Sequence, residues 1–129
     1  MRKYDNYCKA LNNLVEGAKL NPPYTIVEQT GIVGLFSVCF EQSWKLMQAI
    51  LENDGRFQNK TGSPKSIIKT AYQCGMIDDC DGWLAILAAR NIIAHTYSNE
   101  EAISVIEKIK SDYLNLFLTL KSEIDGNWS

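Results

Sequence analysis

Apolar side chains recur at steps of three and four along most of this chain, a period that suits amphipathic helices and excludes half-buried strands. The first stripe is Tyr4, Tyr7, Cys8, Leu11, Leu14, Val15 and Ala18. Asn21-Pro22-Pro23 ends it, because proline donates no N–H and bars its predecessor from helical angles. A second helix is expected to start between Tyr24 and Glu28 and run to about Asn53. It carries Ile32, Val33, Phe36, Phe40, Trp44, Met47, Ile50 and Leu51, with Leu35, Val38 and Cys39 widening the face. A helix so apolar belongs at the centre of a bundle or at a subunit interface. Asn53-Asp54-Gly55 supplies its stop, and Arg56 to Gly62 reads as a polar loop.

Ser63-Pro64 pairs a hydroxyl cap with proline at the first helical position, opening a short third helix that buries Ile67, Ile68, Ala71 and Tyr72. Gly75 and the acidic Asp78-Asp79-Cys80-Asp81 form the next join, with Asp81 as the expected cap of a fourth helix. That helix carries Trp83, Leu84, Leu87 and the segment Arg90-Asn91-Ile92-Ile93-Ala94-His95-Thr96-Tyr97. Ser98-Asn99-Glu100-Glu101 reads as a capping box before a fifth helix with Ile103, Ile106, Ile109, Tyr113, Leu116, Phe117 and Leu120 on one side. Long helices and short joins predict an all-α fold, an antiparallel up-and-down four-helix bundle with one additional short helix. At 129 residues, one domain over 1–129 is expected.

Composition narrows the function. The net charge is −2, so this is no dedicated duplex-binding module, and any RNA contact must be local and brief. No run approaches the roughly 18 to 20 apolar residues that span a bilayer, and no signal-like block opens the chain, which predicts no membrane partner and a cytoplasmic protein. Cys8, Cys39, Cys74 and Cys80 then read as reduced thiols. With one histidine and no Cys-x-x-Cys, the sequence calls for neither a metal nor a cofactor.

The single histidine, His95, follows Arg90 by five residues and precedes Tyr97 by two, with Asn91 beside the arginine. Histidine exchanges a proton near neutral pH, and arginine offers a fixed fork of donors to a phosphate. Together they suit phosphodiester cleavage without a metal: one group takes the proton of an RNA 2′-hydroxyl, and the other stabilises the phosphorane. On a straight helix, positions 90 and 95 lie about 140° apart around the axis and ~7.5 Å apart along it. Asn91 and His95 share a face, as do Arg90 and Tyr97. Either the helix ends near His95, or a two-fold dimer brings two motifs to one groove. The dimer is the expectation, since it also employs the over-apolar second helix. The competing account is structural: His95 serves the helix C-terminus, Arg90 holds an ion-pair partner, and Tyr97 is an ordinary core aromatic.

Weaker features have plain readings. Glu41 and Lys45 suit a surface ion pair, and Trp44 and Trp83 suit the core. Asp78, Asp79 and Asp81 suit a capping turn better than a cation loop. Arg56, Lys60, Lys65 and Lys69 form a modest basic strip.

The segment Arg90-Asn91-x-x-x-His95-x-Tyr97 resembles the Arg-x4-His-x-Tyr signature of the HEPN superfamily, small helical bundles of prokaryotic toxin–antitoxin pairs. Three further blocks occur in the order of one subgroup: Phe36-x3-Phe40-Glu41-x2-Trp44-Lys45, Ser63-Pro64-x2-Ile67-Ile68-x2-Ala71, and Gly75-Met76-Ile77-Asp78-Asp79 before Trp83. That subgroup is the nucleotidyltransferase substrate-binding protein family, related to the HepT toxins, and the likeness spans roughly Ile32 to Ile106. It implies a homodimeric bundle encoded beside a separate small nucleotidyltransferase. By the likeness to toxin members, Arg90 would stabilise the transition state and His95 would be the acid/base of a metal-independent ribonuclease. Asn91 would orient the histidine or the phosphate, and the partner would adenylate Tyr97, blocking the groove by charge and bulk. The alternative that the resemblance implies is a non-catalytic subunit presenting a substrate or nucleotide to the nucleotidyltransferase. Many relatives carry Arg-Phe-Glu where this chain has Leu35-Phe36-Ser37, which removes two charges from the second helix.

Overall fold

The computed structural model describes residues 1–55, 62–95 and 98–128. Helix α1 spans Arg2–Ala18, α2 Ile26–Asn53, α3 Pro64–Gln73 and α4 Cys80–His95. Helix α5, Asn99–Lys108, passes through a π-helical turn at Ile109–Tyr113 into α6, Leu114–Asn127. There is no strand among the described residues, and the architecture is the expected all-α antiparallel bundle with α3 as the extra short helix.

Each helix start has a local cause. The Thr25 hydroxyl accepts from the Glu28 N–H at 3.1 Å, while the Glu28 carboxylate accepts from the Thr25 N–H at 2.8 Å, a complete capping box. Ser63 caps α3 by accepting from the Ser66 N–H at 3.2 Å, with Pro64 at the first helical position. Helix α4 departs from expectation: its cap is Asp79, which accepts from the Gly82 N–H at 2.8 Å, and Asp81 lies inside the first turn. A Cβ on Gly82 would lie 2.5 Å from Asp79 Oδ2 and 2.8 Å from Leu116 Cδ1, so this glycine lets both close in.

Helix α2 is the axis of the bundle, packing on α1, α3, α4 and α5. At Gly17 on α1, an added Cβ would stand 3.1 Å from Leu35 Cδ1 on α2. The apolar Leu35 thus fills the α1–α2 seam. An aromatic cluster ties the remaining helices together. Trp83 meets Phe117 edge-on at 5.4 Å, Phe36 stacks on Tyr113 at 5.8 Å, and the buried Tyr7 hydroxyl donates to the Phe117 carbonyl at 2.6 Å. The π-helical turn lets Ile109 and Tyr113 face this cluster while Phe117, Leu120 and Ile124 continue it along α6. Two expected burials fail on α3 and α5, where Tyr72 and Ile103 are 50% and 40% exposed, and on α2 Val38, expected to widen the apolar face, is 51% exposed. Helix α3 buries only Ile67, Ile68 and Ala71, and α5 only Ala102, Val105 and Ile106, stripes too narrow to include Tyr72 and Ile103. Trp83 is fully buried and Trp44 partly so. The four cysteines are free. No helix among the described residues is long and apolar enough to cross a membrane.

Candidate active site

Arg90, Asn91 and His95 all lie on α4, which ends at His95. The helix end brings His95 out into solvent, and Asn91 is exposed one turn before it. Arg90 turns the other way, toward α2, with its side chain 27% exposed. The three side chains therefore divide as helical spacing requires: Asn91 and His95 together, Arg90 apart. Tyr97 lies outside the described residues.

The seat of Arg90 is built by α2. Its guanidinium sits 5.6 Å from the centre of the Phe40 ring, and Nη2 approaches Glu41 Oε2 at 3.7 Å. That distance is an ion pair but too long for a hydrogen bond. The guanidinium makes no hydrogen bond within the described residues, and its Nε is buried without a partner. A buried donor left unmade costs about 1–3 kcal/mol, so this arrangement does not optimise stability. It holds a cation against a ring and a carboxylate while leaving its fork of donors unspent. Glu41 is itself steadied by Trp44, whose Nε1 donates to both carboxylate oxygens at 3.3 Å. The expected Glu41–Lys45 pair is replaced by these contacts, because the bundle brings α4 over the same face of α2. No spacing rule links position 41 to position 90, so sequence reasoning missed this contact.

The neighbouring Cys39 is no nucleophile, since burial pushes its thiol well above the ordinary range and keeps it protonated. The acidic turn is spent on the α4 cap through Asp79. Of the expected basic strip, Lys65 and Lys69 are exposed on α3, whereas Arg56 and Lys60 lie outside the described residues.

A second unspent polar atom lies on α5. Ser98 caps that helix, accepting from the Glu101 N–H at 3.1 Å, but the return bond of a capping box is not made. Glu101 Oε2 is instead buried without a partner. The site pairs an anchored cation, unspent as a donor, with an exposed imidazole, both on one helix. That chemistry suits an anionic phosphodiester.

Residues 2–125 match the family model described as nucleotidyltransferase substrate binding protein like. The chain is 35% identical over 95 residues to a Haemophilus influenzae protein described as a probable ribonuclease HepT. That alignment covers 70% of this chain and 64% of the relative, so it leaves over a third of the relative unmatched. A solved Thermus thermophilus protein superposes with a TM-score of 0.81 at 28% identity, covering 92% of this chain and 98% of that one. A Haemophilus influenzae structure, described as revealing the fold of a substrate binding domain of a nucleotidyltransferase, gives 0.75 at 26% identity. It covers 95% of this chain and 98% of that one.

Proposed function

The chain belongs to the nucleotidyltransferase substrate binding protein-like family, and from that premise we propose that it is a HEPN-type toxin, a metal-independent ribonuclease neutralised by a partner nucleotidyltransferase. The observation that carries this reading is Arg90, seated on Phe40 and Glu41 with a buried and unsatisfied Nε, on the helix that ends in an exposed His95. The probable ribonuclease among its relatives supports the same reading. His95 takes the proton of a 2′-hydroxyl as that oxygen attacks the adjacent phosphorus. The bond to the 5′-oxygen breaks, and that oxygen leaves with a proton from an imidazolium. The products are a 2′,3′-cyclic phosphate and a 5′-hydroxyl. Arg90 stabilises the charge that builds on the phosphorane, and Asn91, on the face of His95, orients the imidazole or the phosphate. The partner adds AMP to Tyr97, which closes the groove to RNA.

One copy turns Arg90 and His95 to different sides of α4, so the working groove takes its groups from two copies. Helix α2 offers a seam for that homodimer. Val27, Gly31, Gly34 and Val38 form one exposed stripe, with the valines 77% and 51% exposed and no atom within 4 Å of where either glycine's Cβ would stand. Glu41, which holds Arg90, continues that stripe.

A second reading, the non-catalytic subunit of a two-component nucleotidyltransferase in the cytoplasm, draws support from the substrate-binding-domain fold of one relative. RNA cleavage in EDTA separates the two, with wild type beside His95→Ala and Arg90→Ala. Cleavage by wild type alone, all three remaining folded, supports the ribonuclease. Inert wild type, with a Tyr97 adenylate excluded by intact mass, leaves the partner-subunit reading.

A further inference from the structure

Resting on the ribonuclease reading, we propose that the outer face of α3 is a docking strip for single-stranded RNA, on which Lys65 and Lys69 meet the phosphate backbone and Tyr72 stacks on a base. The three residues follow at steps of four and three, so they share one face of the helix, about 10 Å long, away from the buried Ile67, Ile68 and Ala71. All three are exposed, Tyr72 by 50%. Helix α3 packs on both α2 and α4, the helices that seat and carry Arg90.

The chain as a whole has a net charge of −2, yet this face is purely basic. Alone among the helices of the described residues, α3 carries no aspartate or glutamate. Neither lysine makes an ion pair among the described residues, and the Tyr72 side chain makes no hydrogen bond or ring contact there. Stability does not account for the arrangement. Lys65 stands in the first turn of α3, where the helix dipole disfavours a cation. Tyr72 lies outside the packed core and gains little from burial. A single strand of RNA accounts for all three residues. Two lysines one turn apart, about 6 Å along the axis and free of carboxylates, attract neighbouring phosphates. The tyrosine ring, one further turn along, is a platform on which any unpaired base can stack, because every base has a π-face. A duplex keeps its bases stacked on one another, so the ring favours single strands. A strip of this size also suits a contact that is local and brief.

The experiment is fluorescence anisotropy of a short labelled single-stranded RNA, 2′-O-methylated throughout, titrated with wild type and variants over a range of salt. The methyl groups block the attacking hydroxyl, so the probe is not cut and the readout needs no catalysis. For single strands, each phosphate contact contributes about 0.7 to the slope of log K against log salt. Lys65→Gln and Lys69→Gln are each expected to lower the slope by about that amount. Lys9→Gln, which removes the same charge from an exposed position on α1, is expected to leave it unchanged. Tyr72→Ala is expected to weaken binding about fivefold or more with the slope unchanged, while Tyr72→Phe keeps the ring and binds as wild type. Binding that ignores the α3 variants, a loss from Lys9→Gln equal to theirs, or no binding at all overturns the proposal, with thermal melting showing that each variant is folded. Cleavage of the unmodified RNA, followed in parallel, keeps the two readings apart. An active enzyme whose α3 variants bind as wild type sinks the strip alone, and an inert protein with strip-dependent binding sinks the ribonuclease reading alone.

Discussion

Gly82→Ala tests the account of how α4, and with it Arg90 and His95, is started. Alanine is the better helix former by up to about 1 kcal/mol, so propensity alone predicts a more stable protein. The contacts predict the reverse. The new methyl would lie 2.5 Å from Asp79 Oδ2 and 2.8 Å from Leu116 Cδ1. Asp79 can swing away only by giving up its bond to the Gly82 N–H, a cap worth about 1 kcal/mol. Displacing Leu116 adds about 1 kcal/mol or somewhat more of overpacking. The net is a loss of about 1–2 kcal/mol after the propensity gain is set against these two losses. For 129 residues the unfolding entropy is about 0.27 kcal/mol/K, so Tm falls by about 4–7 °C. Gly126→Ala is the matched control: this glycine also lies in a helix, but nothing stands within 4 Å of its added Cβ, and Tm is expected to rise by up to about 4 °C. Differential scanning calorimetry of both variants decides the matter. A Gly82→Ala protein that melts higher, as Gly126→Ala should, refutes the steric and capping argument.

Gly34→Ala carries opposite effects on chain and assembly. With open space at its Cβ, alanine is expected to stabilise the isolated chain by up to about 1 kcal/mol, yet to weaken dimerisation if the Val27–Val38 stripe is the seam. Sedimentation velocity beside thermal melting reads both, and an unchanged dimer with raised Tm removes α2 from the interface. Tyr4 titrates late, near about 12 instead of 10.0, chiefly because its hydroxyl is bonded to Asp125. A pKa raised on folding contributes stability below pH 10 that is lost as pH climbs through about 12. The difference in urea midpoint between wild type and Tyr4→Phe should therefore be flat from neutral pH to about 9 and shrink above 10. A gap that stays constant or widens there contradicts the assignment.

The residue pattern alone carried much of this protein. The boundaries of α2 and α3 follow from Thr25, Asn53-Asp54-Gly55 and Ser63-Pro64 acting on the backbone beside them, and such signals are local by nature. The division of Arg90 from Asn91 and His95 follows from helical geometry and one helix length. Where a rule failed, a distant residue intervened. Asp79 rather than Asp81 caps α4, in a turn where Leu116, more than thirty positions on, packs close to Gly82. Tyr72 and Ile103 fit their stripes on paper, but the faces presented to α2 and α4 were narrower than the periodicity implied.

The chemistry-bearing residue types and their order were therefore fixed by the chain itself: one histidine, one arginine five before it, and a helix to carry both. Tertiary packing alone decided what each group meets. It set Arg90 on Phe40 and Glu41, took Glu41 from Lys45, and left one Glu101 oxygen buried and unbonded among the described residues instead of closing a capping box. The reason is physical. Periodicity and capping arise within a few residues, whereas desolvation and charge pairing depend on which helices the bundle brings together, and no spacing in the chain encodes those distances.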